Sequence, residues 1–119
     1  AICRGTQVVN VALGGALEQH MEEPHRHRVE AVTVTDDLLA DVVGGRELQA
    51  SCYHHQCVSR LGVGLRVAAT ATDGTVEAVT ADAAHGWVLG VQWHPEDNAH
   101  ENPANQALFD GLVAAARDR

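Results

Sequence analysis

The stretch from Trp87 to Trp93, Trp-Val-Leu-Gly-Val-Gln-Trp, is almost continuously apolar and stops at His94-Pro95-Glu96. A run that short and that unbroken reads as a buried strand. Other segments supply its neighbours. From His25 to Thr35 the residues alternate, with His25, His27, Val29, Ala31, Thr33 and Thr35 on one side and Val32 and Val34 on the other. That is a strand pattern. Glu47 to Cys52 is a further strand, and Leu65 to Thr70 and Thr75 to Thr80 flank the hairpin signal Asp73-Gly74. Helices fall between. Arg4 to Leu13 places Val8, Val9, Ala12 and Leu13 on one face before the stop Gly14-Gly15. Glu18 to Pro24 is polar and acidic and reads as loop. Thr35-Asp36-Asp37 caps a short helix through Val43, stopped by Gly44-Gly45. Asn102-Pro103 opens the last helix, with Ala107, Leu108, Leu112 and Ala115 as its apolar stripe. The mixture predicts an α/β fold with at least one antiparallel hairpin.

The 119 residues suffice for one domain. Hydrophobic residues make up 45%, mostly 19 Ala and 16 Val, with aromatics at only 3%. Lys is absent and the net charge is −8, which argues against a nucleic-acid partner, since phosphate contacts need clustered cations. No apolar run approaches the ~20 residues of a membrane span, and no signal-peptide pattern opens the chain. The three cysteines, Cys3, Cys52 and Cys57, are too few for a disulfide scaffold. A reducing cytoplasm is therefore the expected location. The start, Ala1-Ile2-Cys3-Arg4-Gly5, has no initiator Met and reads as if cut in mid-domain.

Three pieces carry chemistry. Cys3 precedes a helix and is flanked at two-residue spacing by the small Ala1 and Gly5. A nucleophile on a sharp strand-to-helix turn needs such neighbours. The helix N-terminus beneath the sulfur is expected to lower the thiol pKa, and the Arg4 N–H to face a developing oxyanion. His94 can take the thiol proton and return it to a leaving amine, while Glu96, two residues on, orients the imidazole. The third piece is Tyr53-His54-His55-Gln56, whose polar side chains have no obvious core role.

Cys3-Arg4-Gly5-Thr6-Gln7, followed by Gly90-Val91-Gln92-Trp93-His94-Pro95-Glu96, resembles the class I glutamine amidotransferase superfamily. The closer likeness is to its γ-glutamyl-γ-aminobutyrate hydrolase (peptidase C26) group. Leu13-Gly14-Gly15, Gln19-His20, His25-x-His27-x-Val29, Tyr53-His54-His55-Gln56 and Asp73-Gly74 with Glu77-Ala78 extend it over nearly the whole chain. The resemblance implies a partial flavodoxin-like α/β domain: residues 1–119 as its C-terminal half, beginning at the nucleophile elbow. It implies a triad of Cys3, His94 and Glu96, and a glutamyl thioester formed on a small γ-glutamyl amide and then hydrolysed. The amine released in that group is γ-aminobutyrate, in putrescine breakdown. Arg4 would give one oxyanion N–H, and Gln7, His54 and His55 would lie near the glutamyl moiety. The first half of the family's domain, which carries the other oxyanion N–H, is not matched. Ala1 stands where Gly is common, and Cys52 where Ser is frequent.

No metal or cofactor is implied. His25 and His27 share a strand face and Cys52-x-x-His55-x-Cys57 is dense in ligands, but neither has the spacing of a structural zinc site. His25 and His27 are expected at a sheet edge or near the rim of the site. The competing functions are a glutaminase subunit that passes ammonia to a synthase, and an inactive fragment. Unpaired strand edges would favour association with a second copy or with the unmatched half.

Overall fold

The computed structural model describes residues 1–82 and 85–118; of His27 only the backbone is described. In chain order the elements are helix α1 (Arg4–Ala12), strands β1 (Ala16–Glu18) and β2 (His25–Val34), helix α2 (Asp37–Val43), strands β3 (Glu47–His54), β4 (Cys57–Arg60), β5 (Leu65–Ala71), β6 (Val76–Ala81) and β7 (Leu89–Val91), a 3-10 turn (Pro95–Asp97) and helix α3 (Pro103–Arg117). Five strands form one antiparallel sheet in the order β3-β2-β5-β6-β7. Beyond β7, Ile2 bridges Val91 in parallel, so the residues before α1 extend the sheet. β1 and β4 make a separate antiparallel pair. The polar segment read as loop therefore begins on a strand.

Local chemistry sets several boundaries. The Asp36 carboxylate accepts from Leu38 N and Leu39 N, and Gly44 at φ 80° ends α2 in the left-handed region where glycine carries no Cβ penalty. Asn102 caps α3 in the same way, with Pro103 in the first turn. The β5–β6 hairpin forms where Asp73-Gly74 predicts it, with Gly74 at φ 87°.

Packing departs from the sequence reading at three places. α1 buries the polar Thr6, Gln7 and Asn10, while Val8 is 60% exposed. Asn10 explains this: its amide donates to Ala16 O and Arg60 O and accepts from Gly62 N at 2.7 Å. The Trp87–Trp93 run is a strand only at Leu89–Val91. Past Val91 the chain swings away, with Gln92 N on Glu77 O and His94 N on Ser51 O. Trp93 thereby enters the core while Trp87 stays partly exposed. Finally, an irregularity between His25 and Arg28 shifts the β2 register. His25 consequently turns inward, fully buried, although Val29 is exposed. Such a bulge breaks strict two-residue alternation and re-aims a side chain.

Candidate active site

Cys3 has φ 51° and ψ −107°, and among the described residues it alone combines a positive φ with a side chain. Backbone strain of this kind costs about 1–3 kcal/mol and persists only where the surroundings enforce it. Here they do. Cys3 N donates to Val91 O at 2.8 Å, Val91 N donates to Ala1 O, and the Thr6 hydroxyl donates to Val91 O at 2.7 Å. A Cβ on Gly5 would lie 3.5 Å from Ala1 Cβ, so the elbow closes on two small residues.

The Arg4 N–H and the Gln92 side-chain amide both reach the Cys3 sulfur. The thiol nevertheless titrates above its ordinary value, because burial raises it by more than these two bonds and the Arg4 charge lower it. This corrects the expectation that the helix N-terminus leaves a thiolate: a base is needed to take the proton.

His94 opens the 3-10 turn, and its Nδ1 lies 3.1 Å from Glu96 Oε2. His94 and Cys3 line one cleft of ≈ 370 Å³ with Arg4, Gln7, Tyr53, His54, His55 and Gln56. Of the residues expected from sequence, Cys3, Arg4, Gln7, His54, His55 and His94 line a single opening, and Glu96 is joined to it only through His94. Their roles within it differ. Gln7 is buried and spends its amide donors on Gln56 O and Gln92 Oε1. His54 is buried and donates Nδ1–H to Gln56 O at 3.0 Å. His55 stacks on His20. Gln92 carries no separate assignment in the sequence reading; its being the one polar residue inside the apolar run is the available signal.

Behind the cleft lies a second set of groups. His25 Nε2 is 2.6 Å from Asp73 Oδ2, and His25 Nδ1 is 3.6 Å from Glu77 Oε2. His54 Nε2 approaches Glu77 Oε2 at 3.1 Å, and the Cys52 thiol reaches Glu77 Oε1 at 3.3 Å. Glu77 and then Asp73 raise His25 to about 9 against the opposing effect of burial. Burial, followed by Glu77, drives the Cys52 thiol far up. Burial also works to raise Glu77, but His25, His54 and Cys52 outweigh it and hold the carboxyl below its usual value. His25 is therefore interior, not at a sheet edge or rim; the expectation for the His27 side chain lies outside the described residues.

The sequence profile of the Peptidase C26 family matches residues 1–96. A protein of Mycobacterium tuberculosis assigned by name as a glutamine amidotransferase is 40% identical over 126 residues, covering 97% of this chain and 39% of that protein. The γ-glutamyl-γ-aminobutyrate hydrolase of Escherichia coli is 33% identical over 138 residues, covering 98% of this chain and 53% of the enzyme. Among solved structures, a protein of Thermoplasma acidophilum assigned to GMP synthase superposes with a TM-score of 0.74 at 19% identity, over 98% of this chain and 57% of that one. That likeness shows the fold, a mixed α/β domain of the class I glutamine amidotransferase type. No helix among the described residues is long and apolar enough to cross a membrane. The chain spans about half the length of the curated relatives it matches, and it belongs to the Peptidase C26 family.

Proposed function

We propose that this chain carries the nucleophile, base and orienting carboxylate of a hydrolase that cleaves small γ-glutamyl amides. The observation that carries the reading is the strained Cys3 elbow opening into the same cleft as His94, whose Nδ1 is engaged by Glu96. Glu96 engages Nδ1, which leaves Nε2 to take the Cys3 proton. The sulfur then bonds to the γ-carbonyl carbon, and the carbonyl electron pair moves onto oxygen, where the Arg4 N–H stabilises it. Collapse breaks the C–N bond as His94 protonates the departing amine. Water, deprotonated by His94, attacks the thioester, and glutamate leaves as the thiol is restored. The 33% identity to a γ-glutamyl-γ-aminobutyrate hydrolase supports that amide as the substrate.

The test pairs labelling with turnover. 6-Diazo-5-oxonorleucine should leave one adduct, on Cys3, with Cys52 and Cys57 untouched. γ-Glutamyl-γ-aminobutyrate should be hydrolysed in preference to glutamine, and Cys3→Ala should abolish both adduct and turnover with the fold intact. Equal labelling of all three cysteines would refute the nucleophile. A preference for glutamine would instead assign a glutaminase that feeds ammonia to a synthase.

A further inference from the structure

His25, Cys52 and Glu77 lie behind the cleft and His54 forms part of its wall, and the proposed reaction uses none of the four for proton transfer or attack. We propose that His25, Cys52, His54 and Glu77 bind a divalent transition-metal ion of the zinc class between β2, β3 and β6. Their ligand atoms all lie within 4.8 Å of one another, and all four residues are buried. Ligands at 2.0–2.3 Å around a tetrahedral ion are separated by roughly 3.3–3.8 Å. The contacts to the Glu77 carboxylate are close to that scale: 3.1 Å from His54 and 3.6 Å from His25 to Oε2, and 3.3 Å from Cys52 to Oε1.

The outer nitrogens of the two imidazoles are decisive. A backbone carbonyl can only accept, so His54 must donate Nδ1–H to Gln56 O. Asp73 Oδ2 lies 2.6 Å from His25 Nε2, and a carboxylate oxygen accepts, so His25 donates Nε2–H to it. Metal-bound histidines are anchored in this way, by a carboxylate or a main-chain oxygen on the far nitrogen. With both imidazoles neutral, the two inner nitrogens then turn lone pairs toward Glu77. That is repulsive unless a cation, a proton or a metal ion, stands between. His25 is 0% exposed, and its Nδ1 has no hydrogen-bond partner.

Charge selects the ion. Two neutral imidazoles, one thiolate and one carboxylate carry −2, and a divalent ion brings the buried set to zero, as a low-dielectric interior requires. Two nitrogens, one sulfur and one oxygen suit zinc better than magnesium or calcium, which prefer oxygen alone. Binding displaces the Cys52 proton, so affinity should rise with pH. A cleft lined by Glu18, Glu22, Glu23 and Asp73 ends at the carboxylate bonded to His25 Nε2 and gives a cation an approach. Cys52 and His54, two apart on β3, share a face of the sheet. An ion there would fasten the turn that presents His55 and Gln56 to the active cleft.

The experiment is cobalt substitution followed by absorption. One Co²⁺ per chain should bind, with visible d–d bands of tetrahedral intensity and a thiolate-to-cobalt charge-transfer band in the near ultraviolet, and Zn²⁺ should displace it. Cys52→Ser should remove the charge-transfer band, while Cys3→Ala and Cys57→Ala leave it unchanged. Zn²⁺ at a hundredfold excess over Kd should raise the Tm by at least about 5 °C. The Tm of Cys52→Ser without metal separates loss of the site from loss of the fold. Absence of stoichiometric binding, or a charge-transfer band that survives in Cys52→Ser, would overturn the proposal and leave protons alone to balance the cluster.

Discussion

Gly90 is where helix α1 rests on β7, and filling it tests how the elbow is held. A Cβ there would lie 3.0 Å from both Thr6 Cγ2 and Thr6 Oγ1, and 3.2 Å from Val79 Cγ2. Neither neighbour has room to yield. Thr6 is 2% exposed and Val79 0%, and Thr6 is tethered to Val91 O. Overpacking of this kind costs about 1–3 kcal/mol. The alanine also restricts the unfolded chain, which returns about 0.4–1 kcal/mol. Gly90→Ala should therefore destabilise by about 1–2 kcal/mol and lower Tm by roughly 5–10 °C. Thr6→Ala removes both crowding atoms, at the cost of a hydrogen bond worth about 1 kcal/mol. In the double variant the Thr6 share of the clash should vanish and only the looser Val79 contact remain, giving a coupling of about 1 kcal/mol. Urea unfolding of the four proteins, read as a cooperative transition, measures it. Additivity within about 0.3 kcal/mol, or a Gly90→Ala protein more stable than the parent, would refute the packing argument.

Three further outcomes are expected. Asn105→Ala strands Trp93 Nε1 and Gln49 O, which it now satisfies at 2.8 Å and 3.1 Å inside the core, so it should cost about 2–4 kcal/mol and redden Trp93 fluorescence; a loss below about 0.5 kcal/mol would show that water replaces the amide. Burial works to raise the Asp36 carboxyl, but bonds from Leu39, Thr80 and Arg66 outweigh it and hold it below 3.8. A depressed carboxyl contributes stability that is complete above its unfolded pKa and lost as pH falls through the folded one, so Asp36→Ala should lose about 1 kcal/mol at pH 7 and progressively less relative to the parent below about pH 4, by urea titration. Because burial raises the Cys3 thiol above its ordinary value, its alkylation by iodoacetamide should climb about tenfold per pH unit upward from neutrality, and a plateau below pH 8 would mean a standing thiolate.

The sequence is most legible where structure is decided locally. Asp36 and Asn102 cap helices through bonds to residues two and three positions on. Gly44 and Gly74 adopt the positive φ that a side chain resists. The elbow is legible for the same reason, since Ala1, Cys3 and Gly5 are neighbours in the chain. Periodicity fails where distant partners decide. The buried face of α1 is polar because Arg60 and Gly62 await Asn10, about fifty positions away. β1 is invisible as three residues that need β4 to become a strand. Alternation assigns His25 to the face of Val29, and one register shift puts it in the core. Likewise no local spacing joins His25, Cys52, His54 and Glu77, which three separate strands bring together.

The cysteine and the buried cluster are also physically continuous. Gln92 Nε2 lies 3.5 Å from the Cys3 sulfur, and Gln92 Oε1 accepts from Gln7. Gln7 also donates to Gln56 O, and the same oxygen accepts from His54, whose other nitrogen faces Glu77. Every link but the first is 3.0–3.1 Å. Each member is polar and most are buried, so each depends on the next for its partner, and a gap would strand at least one donor or acceptor at about 1–3 kcal/mol. This accounts for polar side chains that a simple packing argument would exclude from the interior. Gln7 and His54 reach the cleft wall, yet their bonding groups are already engaged behind it. The chain of amides thus fixes the side of the cleft facing Cys3, and whatever cation balances Glu77 sets the position of its far end.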